Sequence, residues 1–145
     1  MKANTMTKPE SNAAQQDIEN GIRTLNVEAQ GLLALAQSLD ASFAEAVSAI
    51  HDMKRERKGR LVVAGMGKSG HVAKKITATM ASTGTPAHFV HPGEASHGDL
   101  GMITEMDVVL LLSNGGESAE LSDIIHYTRR YGITLIAMTS NGHST

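Results

Sequence analysis

No cysteine and no tryptophan occur in the 145 residues, and proline appears three times. Without cysteine there is neither a disulfide framework nor a thiolate zinc site. Aromatic residues make up only 3%, so Met, Ala, Val, Ile and Leu must fill the interior. Positive charge is not in excess either. The formal net charge of -2 gives no electrostatic reason to expect nucleic acid, which calls for clustered Lys and Arg. Long hydrophobic runs are also missing: the longest, Val108 to Leu112, is far short of a membrane span. The polar start MKANTMTKPESN lacks the apolar segment of a secretion signal. These absences point to a cytoplasmic protein with neither a membrane nor a nucleic-acid partner.

The 41% hydrophobic fraction suits one globular domain with a real core. Residues 1–12 read as a polar, flexible tail. From there Ile18, Ile22, Leu25, Ala29, Leu32, Ala36 and Leu39 recur at spacings of four and three, one stripe of a long helix. Asp40 is placed to cap a second helix whose apolar face would be Phe43, Val47 and Ile50. The run KRERKGR then reads as a solvated linker, closing a helical section over 13–58 that would pack on the domain or on a partner subunit.

Over 59–145 short β-branched runs alternate with helical stretches. RLVVAG, PAHFVH, DVVLLLSN and ITLIAMTS read as strands, with helices over about 69–82 and 117–131. This is the grammar of an α/β three-layer sandwich with a mostly parallel sheet, preceded by the N-terminal helices. In such sheets ligands gather beyond the carboxyl ends of the strands. The loops GMGKSG, HPGEASHGD and SNGGES all fall there. MTSNGHST follows the last strand directly, where a further helix and strand would ordinarily extend the sheet; either a small sheet suffices or the chain is a fragment.

GMGKSG resembles two nucleotide signatures. A phosphate-binding loop needs Gly six residues before its Lys, and Val62 stands there. A dinucleotide fold matches Gly65, Gly67 and Gly70, but it expects an acid at the end of the second strand, where His91 stands. What survives is local physics. Outward backbone N–H groups and a helix N-terminus favour an anion, Ser69 offers a hydroxyl and Lys68 a mobile charge. A single phosphate monoester fits; so does a plain strand-to-helix turn with an exposed Lys. SNGGES repeats the theme with Ser113, Ser118 and the Gly115–Gly116 backbone at a second helix start. Glu117 there suits a helix-dipole partner, whereas Glu120, one turn deeper, is the better candidate for a base. His91 and His97, six apart on a loop, are weak evidence for a metal by themselves. His88 reads as structural within a strand, and His51 and His126 as helix-surface residues.

GMGKSGHVAKK, STGTPAHFVHPGEASHGDLGMIT and SNGGESAEL resemble the sugar isomerase (SIS) domain of D-arabinose-5-phosphate isomerases, from about Val62 to Thr139. The resemblance implies interconversion of D-arabinose 5-phosphate and D-ribulose 5-phosphate through an enediolate. That reaction supplies the eight-carbon acidic sugar (Kdo) of lipopolysaccharide or capsule. It implies catalytic roles for Lys68 and Glu120, and sugar-phosphate binding by Ser69, Ser113 and Ser118. It further implies substrate contacts at Gly84, Thr85, His91 and His97, and an inhibitory zinc ion at His91. No cofactor is required, and a homotetramer or homodimer is implied. Two departures stand out. Gly115 replaces a Ser usual in the family, removing a hydroxyl whose hydrogen bond to a charged group is worth about 1.5–3 kcal/mol. The family's remaining catalytic Glu and His and its CBS modules would lie beyond Thr145, so the resemblance implies a truncated, weakly active or inactive chain. A sugar-phosphate-binding SIS module without catalysis is the alternative.

Overall fold

The computed structural model describes residues 10–144 and divides the chain into two compact units, Met1–Ser42 and Phe43–Thr145. Residues 1–9 of the expected tail lie outside the described residues. In the first unit a single helix, α1 (Glu10–Ser38), already includes residues 10–12. Its stripe residues Ile18, Ile22, Leu25 and Leu32 are each more than half exposed. Asp40 accepts the Ser42 backbone N–H at 2.9 Å and the Ser42 hydroxyl at 2.6 Å, as an N-cap does where a second helix begins.

That helix, α2 (Ala41–Asp52), runs without a break into a π-helical turn, Met53–Arg57. The first four residues of the expected linker, Lys54 to Arg57, are therefore helical, although Lys54 to Lys58 are solvated as anticipated. The expected apolar face shifts too. Phe43 and Val47 are exposed, and Ile50 and Met53 face the core.

The remainder is a parallel sheet between helices. Strands β1 (Leu61–Gly65), β2 (Ala87–Val90), β3 (Val108–Leu112) and β4 (Thr134–Met138) are joined by α3 (Gly67–Ser82), α4 (Pro92–Ala95) with a 3₁₀ turn (Asp99–Met102), and α5 (Ser122–Tyr131). The strand order is β2-β1-β3-β4, with every neighbouring pair parallel. Because side chains alternate across a strand, Leu61 and Val63 meet Met53 and Ala73 on one face, together with Val108, Leu110 and Leu112. Val62, Ala64, Val109 and Leu111 meet Ala95, Ile103, Leu121 and Ile124 on the other. Burial on both faces explains why β1 and β3 read as unbroken apolar runs. No helix among the described residues is long and apolar enough to cross a membrane.

Two details set the rim on which a ligand would sit. The chain leaves β1 for β2 on one side and returns past it to β3 on the other, so the topological switch lies between β1 and β3, the position at which open α/β sheets bind ligands. At the opposite end of the sheet, buried Asp107 ties the start of β3 to the start of β1. It accepts the Arg60 backbone N–H at 2.7 Å, the Thr104 N–H at 2.8 Å and the Thr104 hydroxyl at 3.0 Å.

Candidate functional site

The β1–α3 turn is shaped by glycine. Gly67 adopts φ 52, a conformation few other residues accept, and lets α3 begin two residues earlier than the sequence suggests. A Cβ on Gly70 would lie 2.6 Å from the Gly65 carbonyl oxygen, so only glycine lets α3 approach β1 this closely. Met66 precedes the helix in an extended conformation and offers no side-chain cap. The first-turn N–H groups of α3 are therefore left for a ligand or water, with the positive end of the helix dipole behind them. Lys68 is exposed, and its ammonium has no ion pair among the described residues. Ser69 is half-buried beside it.

Opposite, Ser113, the first residue after β3, is buried. Its hydroxyl lies 2.9 Å from the Ser118 hydroxyl and accepts the Gly116 N–H at 3.1 Å. The loop thus curls back on its first residue before a 3₁₀ turn, Ala119–Leu121, leads into α5. This corrects the expected helix over 117–131. Glu117 lies in the loop rather than in a first helical turn, and Glu120 sits on the 3₁₀ turn that opens the helical segment rather than one turn inside it.

Between the two turns lies a cleft of about 570 Å³, lined by Lys68, Ser69 and Val72 from α3, by Leu112 at the end of β3 with Ser113 and Asn114 after it, and by Met138 at the end of β4 with Thr139 and Ser140 after it. The structure therefore brings Lys68, Ser69 and Ser113 together, with Ser118 joined to them through Ser113. The other named residues stand elsewhere. Glu120 is exposed and does not line this cleft; its 3₁₀ turn packs on α4. His91 follows β2, on the far side of β1, and His97 follows α4, next to Ser96, whose hydroxyl donates to Asp123 of α5 at 2.6 Å; neither lines the cleft. The His91 Nδ1 accepts the Gly93 N–H at 3.1 Å and caps that short helix. Gly84 and Thr85 precede β2 at the opposite end of the sheet, where the nearest atom to a Cβ on Gly84 would be the Lys54 Nζ, at 3.8 Å. A strand's length separates them from the cleft.

A resident zinc does not fit these residues. Capping commits the His91 Nδ1, which leaves Nε2 as its one metal-binding nitrogen, and among the described residues no group of three or more His, Asp or Glu is arranged to hold a metal ion. Three polar cleft residues were missed by sequence reasoning: Asn114, Thr139 and Ser140. The Thr-Ser pair at the carboxyl end of the fourth strand was a usable signal, but only the strand order shows that β4 lies beside β3.

Residues 55–145 match the family model of the SIS domain. Two curated relatives are named arabinose 5-phosphate isomerase KdsD. The Yersinia pestis protein is 54% identical over 125 residues, which are 86% of this chain and 37% of that protein. The Pseudomonas aeruginosa protein is 51% identical over 127 residues, 88% of this chain and 38% of that protein. This chain thus spans under two-fifths of the length of these relatives. A solved structure of an Escherichia coli CFT073 protein in complex with arabinose 5-phosphate is 38% identical, with a TM-score of 0.79 over 90% of this chain and 68% of that one. The parallel sheet, the cleft at its switch point and a family match over most of the second unit agree: the chain belongs to the SIS domain family.

Proposed function

We propose that the cleft binds the phosphate of a five-carbon sugar phosphate and that the chain carries the SIS part of a D-arabinose-5-phosphate isomerase, serving Kdo and lipopolysaccharide or capsule synthesis. The observation that carries this reading is the convergence of two anion-suited turns. The uncapped N-terminus of α3, with Lys68 and Ser69, faces the Ser113–Gly116 loop across one cleft. The names of the relatives supply the sugar.

In this reading the phosphate sits against the first turn of α3 and the Ser69 and Ser113 hydroxyls, and the Lys68 ammonium neutralises its charge or that of the enediolate. Glu120 takes the C2 proton of the open-chain aldose and returns it to C1, while the C2 hydroxyl proton passes to the C1 oxygen. His91 contacts the substrate from the end of β2 and His97 from the turn after α4. No cofactor is needed, because the carbon skeleton is redox-neutral overall. The exposed apolar stripe of α1 is the proposed seam of a homodimer or homotetramer, and a cytoplasmic location suits a phosphorylated substrate.

One observation favours binding without turnover: Glu120 stands outside the cleft lining. Formation of ribulose 5-phosphate from arabinose 5-phosphate, followed alongside ligand-induced thermal stabilisation, separates the two readings. Stabilisation with turnover supports the isomerase, stabilisation without turnover supports the binding module, and no stabilisation removes both.

A further inference from the structure

The loop that follows β4 grips the loop that follows β3 through one carbonyl. The Asn114 oxygen accepts the Ser140 hydroxyl at 2.6 Å, the Ser140 backbone N–H at 3.1 Å and the Thr139 hydroxyl at 3.2 Å. A carbonyl oxygen has two lone pairs, so three donors is a full complement and more. The next carbonyl, Gly115, accepts the Asn141 side-chain amide at 3.4 Å. Asn141 is held in turn, its N–H bonded to the Thr139 hydroxyl at 3.1 Å and its carbonyl to the Ser144 hydroxyl at 2.9 Å. A Cβ on Gly116, whose φ is 77, would collide with the Ser144 side chain.

Peptide planarity turns this clamp into a statement about a donor. In a trans peptide the N–H points opposite to the C=O. The Asn114 carbonyl points toward the β4 loop, so the Gly115 N–H, in the same peptide plane, points the other way. Since β3 lies between β4 and β1, that direction is toward the β1–α3 turn, where Lys68 and Ser69 line the cleft. The Gly115 N–H has no acceptor among the described residues. Hydrogen bonds to a carbonyl also polarise its peptide and strengthen the N–H as a donor.

We infer that Thr139 and Ser140 are positioning residues for phosphate recognition: by anchoring the Asn114 carbonyl they aim the Gly115 amide into the cleft. That amide is a donor at the position where the loop lacks a side-chain hydroxyl. The inference rests on the sugar-phosphate reading and adds to the end of β4, beyond lining the cleft, the role of holding the peptide that carries this donor.

The test uses the full 145-residue chain labelled with ¹⁵N, titrated separately with arabinose 5-phosphate, inorganic phosphate and unphosphorylated arabinose. The Gly115 amide proton should move downfield with both phosphates and stay in place with arabinose. Thr139→Val combined with Ser140→Ala should abolish most of that movement and weaken the dissociation constant for arabinose 5-phosphate about tenfold, the scale of a hydrogen bond to a charged group. Ser140→Thr, which keeps a hydroxyl, should restore both. A structural loss alone would not single out the Gly115 resonance, and the spectrum itself shows whether each variant is folded. Binding that moves the Lys68 and Ser69 amides but leaves Gly115 unmoved overturns the inference while sparing the sugar-phosphate reading. The same holds if the double variant keeps the affinity of the unmodified chain. If no amide moves with either phosphate, both fall.

Discussion

The hydroxyls of Ser113 and Ser118 meet at 2.9 Å, and the same Ser113 oxygen takes the Gly116 N–H at 3.1 Å. One buried oxygen thus closes a loop whose other side faces the cleft. Ser113→Ala removes both contacts and leaves the Ser118 hydroxyl half-buried without its partner. It should cost about 1–2 kcal/mol of stability and weaken phosphate binding, whereas Ser118→Ala, which leaves the Gly116 bond in place, should be milder. Urea denaturation of both variants checks the order, and equal costs would show that the Gly116 bond adds nothing.

Gly115 offers a gain rather than a loss. An added Cβ there has no atom within 4 Å and Gly115 is absent from the positive-φ glycines, so a side chain fits without strain. Gly115→Ser should tighten the dissociation constant for arabinose 5-phosphate by about tenfold at most, the scale of one hydrogen bond to a charged group, with little change in melting temperature. Unchanged or weaker binding, measured by calorimetry, would mean that this position does not reach the phosphate.

Gly70 is the reverse case. In a helix Ala ordinarily gains about 1 kcal/mol over Gly. Here the new Cβ would face the Gly65 carbonyl oxygen of a buried strand at 2.6 Å, and neither backbone can yield freely. The steric term should win, and Gly70→Ala should lower stability by about 1–3 kcal/mol. Gly21→Ala in exposed α1, with nothing within 4 Å, should instead raise the helical circular dichroism signal. A neutral Gly70→Ala would contradict the close packing of α3 on β1.

Acid should weaken the fold through His88. Both its ring nitrogens are enclosed with no hydrogen-bond partner, and burial, with a smaller push from the Arg60 charge, holds its pKa below 6.5 against the opposing pull of Asp107. The unfolded chain therefore binds a proton that the folded chain refuses. Stability from this residue is complete above about pH 6.5 and falls as the pH drops below it. Urea denaturation of the unmodified chain should lose stability between about pH 7.5 and 5 more steeply than that of His88→Leu. Parallel profiles would remove His88 as the cause.

Much of this was legible in the residues. The β1 and β3 segments are unbroken apolar runs because they are buried on both faces, and Gly65, Gly67 and Gly70 mark a tight strand-to-helix turn. Other features depend on contacts that no local pattern encodes. Phe43 and Val47 share a helix face with Ile50, yet packing selected Ile50 and Met53. Glu117 and Glu120 looked like one helical turn because their spacing is helical; the Ser113–Ser118 contact and a 3₁₀ turn displace the start of α5 to Ser122. Thr139 and Ser140 reach the cleft only because β4 pairs with β3, a matter of strand order. Gly84 and Thr85 belong to a distinctive motif, but parallel pairing of β2 with β1 puts them at the end of the sheet away from the cleft.

The central claim is that the cleft between α3, β3 and β4 holds a sugar phosphate by its phosphate. Calorimetric titration of the chain with arabinose 5-phosphate, beside arabinose and beside a Lys68→Ala variant, tests it most directly. The predicted result is saturable binding of the phosphate ester, none of the neutral sugar, and affinity reduced about tenfold or more in the variant, as expected for a lost charge-assisted contact. Equal binding of both sugars, or full affinity without Lys68, would contradict it.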